Sequence, residues 1–297
     1  MNIAAPNPSD LSARLPLLPG WISSARGESI EDLAFKSGAA LAVLDGVVCH
    51  PEVPGGLLRE RLALRAAESC VVITGRPERA PDLRDEVHLL RLGDLPGPAG
   101  AIFVQWRRAV ARPVKAEALQ GALPDDLAAH IPVWLATGKG CPVAQCSAVL
   151  EAVLADLPRA EAVALILADA VLARALGWRH LVPLLAFGLK PRDLRLRGDD
   201  LRRACHHAIV SSVGEALRMA SDLSGRAARL RAVAPKLRAK GAGLAVDMFL
   251  NKDALSPSLA LTDLMSDRAA RRLCDRLVDL GAVRELTGRA SFRLYGV

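Results

Sequence analysis

LSPSLALTDLMSDRAARRLCDRLVDLGAVRELTGRASFRLYGV, residues Leu255 to Val297, sets the expected fold. It divides into a short helix, a tight turn, a longer helix and a two-stranded ribbon. Ser266 stands at an N-cap position, where its hydroxyl would accept a backbone N–H at the head of the run Asp267–Leu280. Within that run Ala269, Ala270, Leu273, Leu277 and Leu280 recur at helical spacing on one face. Arg268, Arg271, Arg272, Asp275 and Asp279 occupy the other. Gly281 follows where a helix end needs a residue free to turn left-handed. Val283–Leu286 and Ser291–Leu294 are strand-like runs around Thr287-Gly288-Arg289-Ala290, a turn that includes glycine. Helix, turn, basic-faced helix and hairpin is the plan of a winged helix-turn-helix. On that plan the second helix enters a major groove, and Arg284, Arg289 and Arg293 of the hairpin hold phosphates.

The same pattern also fits a helix and hairpin that only close the C-terminal region, with the arginines as a solvated face. The placing of the arginines favours DNA. Arg268, Arg271 and Arg272 cluster in the first half of the helix, and arginine pairs bidentately with guanine. Asp275 and Asp279 come later, where they clash less with phosphate.

Outward from this stretch, 297 residues exceed one average domain, so two domains are expected. Half the residues are apolar and only 3% aromatic, with Ala, Leu and Arg dominant, a bias towards helices. A formal charge of +7 favours an acidic partner such as nucleic acid, but spread over this length it decides little alone. The six cysteines, at 49, 70, 141, 146, 205 and 274, lack the spacing of a disulfide scaffold or zinc ribbon. Most sit in apolar helical runs as small hydrophobes, so a reducing cytoplasm is expected. The N-terminus has no basic start followed by a continuous apolar core, which speaks against a signal peptide. The most apolar region, Ala162–Leu189, is broken by charges and Pro183 and is expected to be core, not a membrane span.

Along the chain, residues 1–27 read as a loose arm docking through Trp21 and Ile22. Helices are expected over Ser29–Val48, Leu57–Ile73, Asp82–Leu90 and from Pro98 to before Pro113. Leu92–Gly100 is a Pro/Gly-rich connector, and short pieces follow near Val114–Gln120 and Asp125–Ile131. Cys141–Leu157, Arg159–Leu176 and Trp178–Gly188 come next. Lys190–Lys240 is the most basic part, with thirteen Lys and Arg against five Asp and Glu. It should hold one helix from about Asp199 to Ala220 and a second run over Asp222–Ala234. Pro235 should then open a helix from Lys236 to about Leu250. These basic helices either lengthen a DNA footprint along the phosphates or are solvated faces.

No catalytic signature is legible. Thr137-Gly138-Lys139-Gly140 lacks the glycine positions and following Ser/Thr of a phosphate loop, and reads as an interhelix turn. Cys205-His206-His207 is the one cluster of metal-ligand type, but neighbours on a helix point about 100° apart and cannot clasp one ion alone. No nucleophile elbow, paired carboxylates or dinucleotide fingerprint stands out. Neither a metal nor another cofactor is expected.

The run AVAPKLRAKGAGLAVDMFLNKDALSPSLALTDLMSDRAARRLCDRLVDLGAVRELTGRASFRLYGV resembles the C-terminal part of an alphaproteobacterial family of uncharacterised, often plasmid-borne proteins. EDLAFKSGAALAVLD and LRERLALRAAESC resemble its N-terminal part. Leu280-Gly281-Ala282-Val283-Arg284-Glu285-Leu286-Thr287-Gly288-Arg289 is also similar to the winged tail of many Fic-domain proteins. The Fic catalytic motif, a His followed by a Gly-Asn-Gly-Arg loop, is absent from this chain, so adenylyl transfer is not implied. The resemblance implies a helical protein with a winged C-terminus and no assigned activity.

The expectation is therefore a mainly α protein. It has a loose arm over 1–27, a multi-helix domain over 28–190, a basic helical connector over 191–234 and a winged helix-turn-helix over 235–297. Its expected partner is double-stranded DNA, bound as a regulator, with a homodimer or protein partner also open. The alternatives are a protein-interaction module, or a ligand-sensing or enzymatic helical domain with its pocket around Cys205–His207.

Overall fold

The computed structural model describes residues 15–24, 29–91, 93–289 and 291–297. Most of them are helical, and the strands are confined to a small antiparallel ribbon at the C-terminal end. Most of the predicted arm lies outside the described residues. Of its two expected anchors, Ile22 is buried, whereas Trp21 lies on the surface stacked against Phe35, ring centroids 5.5 Å apart.

Helix α1 spans Ile30–Val48 and begins on a capping box. The Asp32 N–H donates to Ser29 Oγ at 3.1 Å, and the Ser29 N–H donates back to the Asp32 carboxylate at 3.2 Å. Leu33, Ala40, Leu41, Leu44 and Val47 face inward. Helices α2 (Gly55–Ile73), α3 (Ala80–His88) and α4 (Pro98–Ala111) follow, then single turns over Ala116–Gln120 and Ile131–Leu135. Helix α5 (Pro142–Asp156) packs along α6 (Glu161–Ala175). Every residue of α6 from Val163 to Ala173 is buried, as expected of a helix apolar all round at the centre of a protein.

Beyond α6 the expected helix over Trp178–Gly188 shrinks to the turn Leu185–Gly188. Pro183 lacks an N–H and pushes its predecessor out of helical conformation. The turn begins instead on Asp169 of α6, whose carboxylate accepts the Leu184 and Leu185 N–H groups, each at 3.1 Å. With no cation beside it among the described residues, burial drives the Asp169 carboxyl up to about 7, partly offset by those two bonds.

Helix α7 runs unbroken from Gly198 to Val233, 36 residues, or about 54 Å. The interruption expected near Ala220 does not occur, because Ala216, Ala220, Leu223, Ala227 and Leu230 continue one buried stripe. Asp222 and Arg226 bridge the expected gap with an i,i+4 ion pair at 2.9 Å. The far end corrects a second boundary. Ala234–Lys236 forms a 3-10 turn, Gly241 reverses the chain at φ 84°, and α8 occupies only Ala242–Phe249.

After α8 comes Leu255, then the turn Pro257–Ala260, helix α9 (Asp267–Asp279), and strands β1 (Arg284–Glu285) and β2 (Tyr295–Gly296). The pairing is Arg284 with Gly296 and Glu285 with Tyr295, further along the chain than the expected Ser291–Leu294 strand. The cause is burial of Leu294, Tyr295 and Val297, which draws the last residues inward. Glu285 shapes the tip, accepting the Thr287 and Gly288 N–H groups at 2.8 and 2.9 Å. Ala290, in the predicted turn, lies outside the described residues. Leu255 and Tyr295 exchange two backbone hydrogen bonds at 2.8 and 2.9 Å, adding a third short strand to the ribbon. Helix, strand, helix-turn-helix and hairpin, with the first strand on the last, is a winged helix-turn-helix.

A buried charge cluster joins this segment to the N-terminal helices. Asp253, wholly buried, meets Arg61 of α2 at 2.7 Å and Arg84 of α3 at 2.6 and 3.0 Å. Arg61 also donates to the Val297 carbonyl at 2.9 Å. Gly296 runs so close that a Cβ there would sit 2.7 Å from the Asp253 carbonyl. Buried apolar side chains form one continuous cluster from Ile22 to Val297. No helix among the described residues is long and apolar enough to cross a membrane.

Candidate nucleic-acid interface

Helix α9 buries Ala270, Leu273, Cys274 and Leu277, which turns its arginine face to solvent. Ala269 and Leu280 flank that apolar stripe half-buried, and Cys274 joins it, a placement the apolar count had missed. Ser266 holds the N-cap position in extended backbone, but its hydroxyl makes no capping bond. The C-terminal end forms as expected. Gly281 adopts φ 64°, its N–H reaches the Val278 carbonyl at 2.8 Å, and the Ala282 N–H reaches Leu277 at 2.9 Å. That pair of bonds is a Schellman ending, and it sets the direction in which the chain leaves for the hairpin.

All six predicted DNA-contacting arginines are exposed, and they divide into different surroundings. Arg268 and Arg272 share a stripe with Arg276, at i, i+4 and i+8. None of these three has an ion-pair partner among the described residues. Arg271 lies on the neighbouring stripe and pairs with Asp267 at 3.0 Å. It lines a hollow of about 330 Å³ with Arg293, Asp275, Phe292 and Tyr295, so the structure brings a predicted groove residue and a predicted wing residue together. The Tyr295 hydroxyl donates to Asp275 at 3.2 Å, which fixes an acidic group at the floor of that hollow.

Arg289 and Arg284 lie away from that hollow. Arg289 reaches back to α3 and pairs with Asp85 at 2.6 Å. Arg293 donates to the Arg289 carbonyl at 2.9 Å, which stiffens the tip. Arg284 lies in a groove of about 510 Å³ between the hairpin and α7, beside Arg226 and Arg229. Burial lowers the Arg284 pKa, and the nearby Arg226 lowers it further.

Two functional candidates, Arg276 and Phe292, escaped sequence reasoning, as did the placing of Arg226 and Arg229 beside the wing. Arg276 was legible, since it stands four residues beyond Arg272. Arg226 and Arg229 reach the wing only through the fold, by way of the uninterrupted α7. Phe292 is an exposed aromatic at φ 54°, a backbone region that disfavours every residue but glycine. Nothing in its local sequence announces this.

The remaining clusters do not assemble. Cys205 and His206 are buried while His207 is exposed, as adjacent helical positions require. No group of three metal-ligand side chains converges among the described residues. The Thr137–Gly140 segment is an interhelix turn, with the Thr137 hydroxyl on the Trp134 carbonyl at 2.7 Å and Gly140 at φ 91°. The Cys70 thiol, driven up to about 12 by burial, is not a nucleophile at neutral pH.

Fold and surface together define a helical protein that presents a winged helix-turn-helix at one end. Over residues 7–297 the chain matches the family model described as protein of unknown function (DUF1403), and it belongs to that family. No curated protein matches it in sequence.

Proposed function

We propose that this protein binds double-stranded DNA, with α9 in the major groove and the hairpin against the phosphates. The supporting observation is the stripe Arg268, Arg272 and Arg276, exposed and without ion-pair partners among the described residues. Like charges at i,i+4 cost a helix about 0.2–0.5 kcal/mol per pair. Phosphate and guanine acceptors offset that repulsion. In this reading residues 28–190 form the body, 191–234 the connector and 235–297 the reading head. The likeness of the tail to Fic-domain winged tails, and of the chain to plasmid-borne proteins, supports a regulator of a mobile replicon.

Alanine at Arg268 or Arg272 should cost about 1–3 kcal/mol of binding and relax preference at one base pair. Alanine at Arg293 should weaken all sequences alike. Equal, sequence-blind losses at all three positions would count against groove reading.

A second reading rests on the Arg289–Asp85 pair, which ties the hairpin tip to the body. Such a wing serves as a protein-contact module and leaves DNA alone. Asp85→Ala separates the two. Freed for phosphate, Arg289 strengthens DNA binding in the first reading and changes nothing in the second.

A further inference from the structure

His206, on the buried side of α7, is 2% exposed and forms part of the floor of a cleft of about 410 Å³ between α1 and the start of α5. Its Nδ1 lies 2.7 Å from Ser37 Oγ on α1, a contact buried at both ends. Its Nε2 has no hydrogen-bond partner among the described residues. Around it the lining is apolar: Ala34, Leu41, Val143 and Leu176. Gly38 forms part of the lip, with no atom of the described residues within 4 Å of where a Cβ would stand. Among the described residues no lysine or arginine lines the cleft, and the carboxylate in its lining, Asp45, is held by the Trp178 indole N–H at 2.7 Å.

We infer that this cleft is a binding site for a small, uncharged, largely apolar molecule carrying one hydroxyl group, which pairs with His206 Nε2. Size and lining are those of a small-molecule pocket, apolar walls around one fixed polar group. With no cation in the lining among the described residues, an anionic headgroup would leave a charge unpaired there, which is costly to bury. The choice of hydroxyl follows from Ser37, whose single proton reaches either the Ala34 carbonyl at 3.1 Å or the imidazole. In the first case Nε2 accepts, in the second it donates. A hydroxyl satisfies both, whereas an ether or carbonyl satisfies one. Burial also drives the His206 pKa down to about 4, so the ring is a neutral partner at physiological pH.

The test uses the full chain and two probes of nearly one shape, phenol and toluene, with affinities from calorimetry and thermal shift. Phenol should bind about two- to tenfold more tightly than toluene, the net worth of one hydrogen bond. His206→Phe keeps a ring of similar size, and Ser37 retains the Ala34 carbonyl, so the variant should lose the preference for phenol. Gly38→Leu should fill the cleft from its open lip and abolish binding of both probes. Because Gly38 stands in open space on a helix, that variant folds whether or not His206→Phe does. The inference is overturned if neither probe binds up to its solubility limit, if both bind equally to the native chain, or if Gly38→Leu still binds phenol.

Discussion

Asp253 shows how much one residue carries. Burial raises its pKa, but Arg61 and then Arg84 more than offset this and hold the carboxyl below its usual range. A carboxylate depressed in the folded state contributes stability that is present above the unfolded pKa and lost as pH falls through the folded value. Asp253→Ala removes it and leaves two partly buried arginines, Arg61 and Arg84, without their shared carboxylate. That should cost about 3–5 kcal/mol in urea unfolding at neutral pH, with the loss shrinking in acid. Asp169 behaves in the opposite way. Its folded pKa of about 7 exceeds the unfolded value, so its contribution is complete below about pH 4 and is lost as pH rises through about 7. Asp169→Asn should flatten the decline in stability between those pH values, as read from melting temperature against pH. Neither aspartate could be told from a surface residue in the sequence. Their partners lie 192 residues away for Arg61 and 15 for Leu184, and only the packed fold brings them together.

At the scale of the element, spacing predicts well wherever one face is buried and caps are local. The boundaries of α1, α5, α6 and α9 lie within about two residues of the expected ones. Sequence reading missed where distant groups decide. The Leu185–Gly188 turn begins on a carboxylate from another helix, and α7 continues past Ala220 because its buried stripe meets the winged segment. The β2 register follows burial of the final residues, which a turn motif cannot report. The arginine face of α9 was legible from periodicity alone, whereas the dispersal of the wing arginines was not. Gly188 and Gly38 provide a matched test of packing within helices. A Cβ at Gly188 would lie 2.5 Å from the Ala208 carbonyl and from Ser212 Oγ, while one at Gly38 meets nothing. Gly188→Ala should destabilise by about 1–3 kcal/mol, and Gly38→Ala should stabilise by about 0.5–1 kcal/mol, both by chemical denaturation.

At the scale of the whole molecule, the winged segment is built into the body. Arg61 and Arg84 grip Asp253, Arg289 grips Asp85, and α7 runs from α1 to the hairpin. The rest of the protein therefore fixes the orientation of α9, and a DNA complex would be read by the whole chain acting as a unit. The Asp253→Ala variant should consequently lose DNA affinity together with stability, while Asp85→Ala should change affinity with stability nearly intact, as expected of a partly exposed pair.

The most direct test of DNA reading is binding of the purified protein to random and genomic duplex DNA across a salt series, with bound sequences recovered. Groove reading by α9 predicts a recovered motif, affinity falling steeply with salt, and loss of the motif in the Arg268→Ala, Arg272→Ala double variant. Absence of binding at low salt, or binding with no sequence preference that the double variant leaves unchanged, would contradict it.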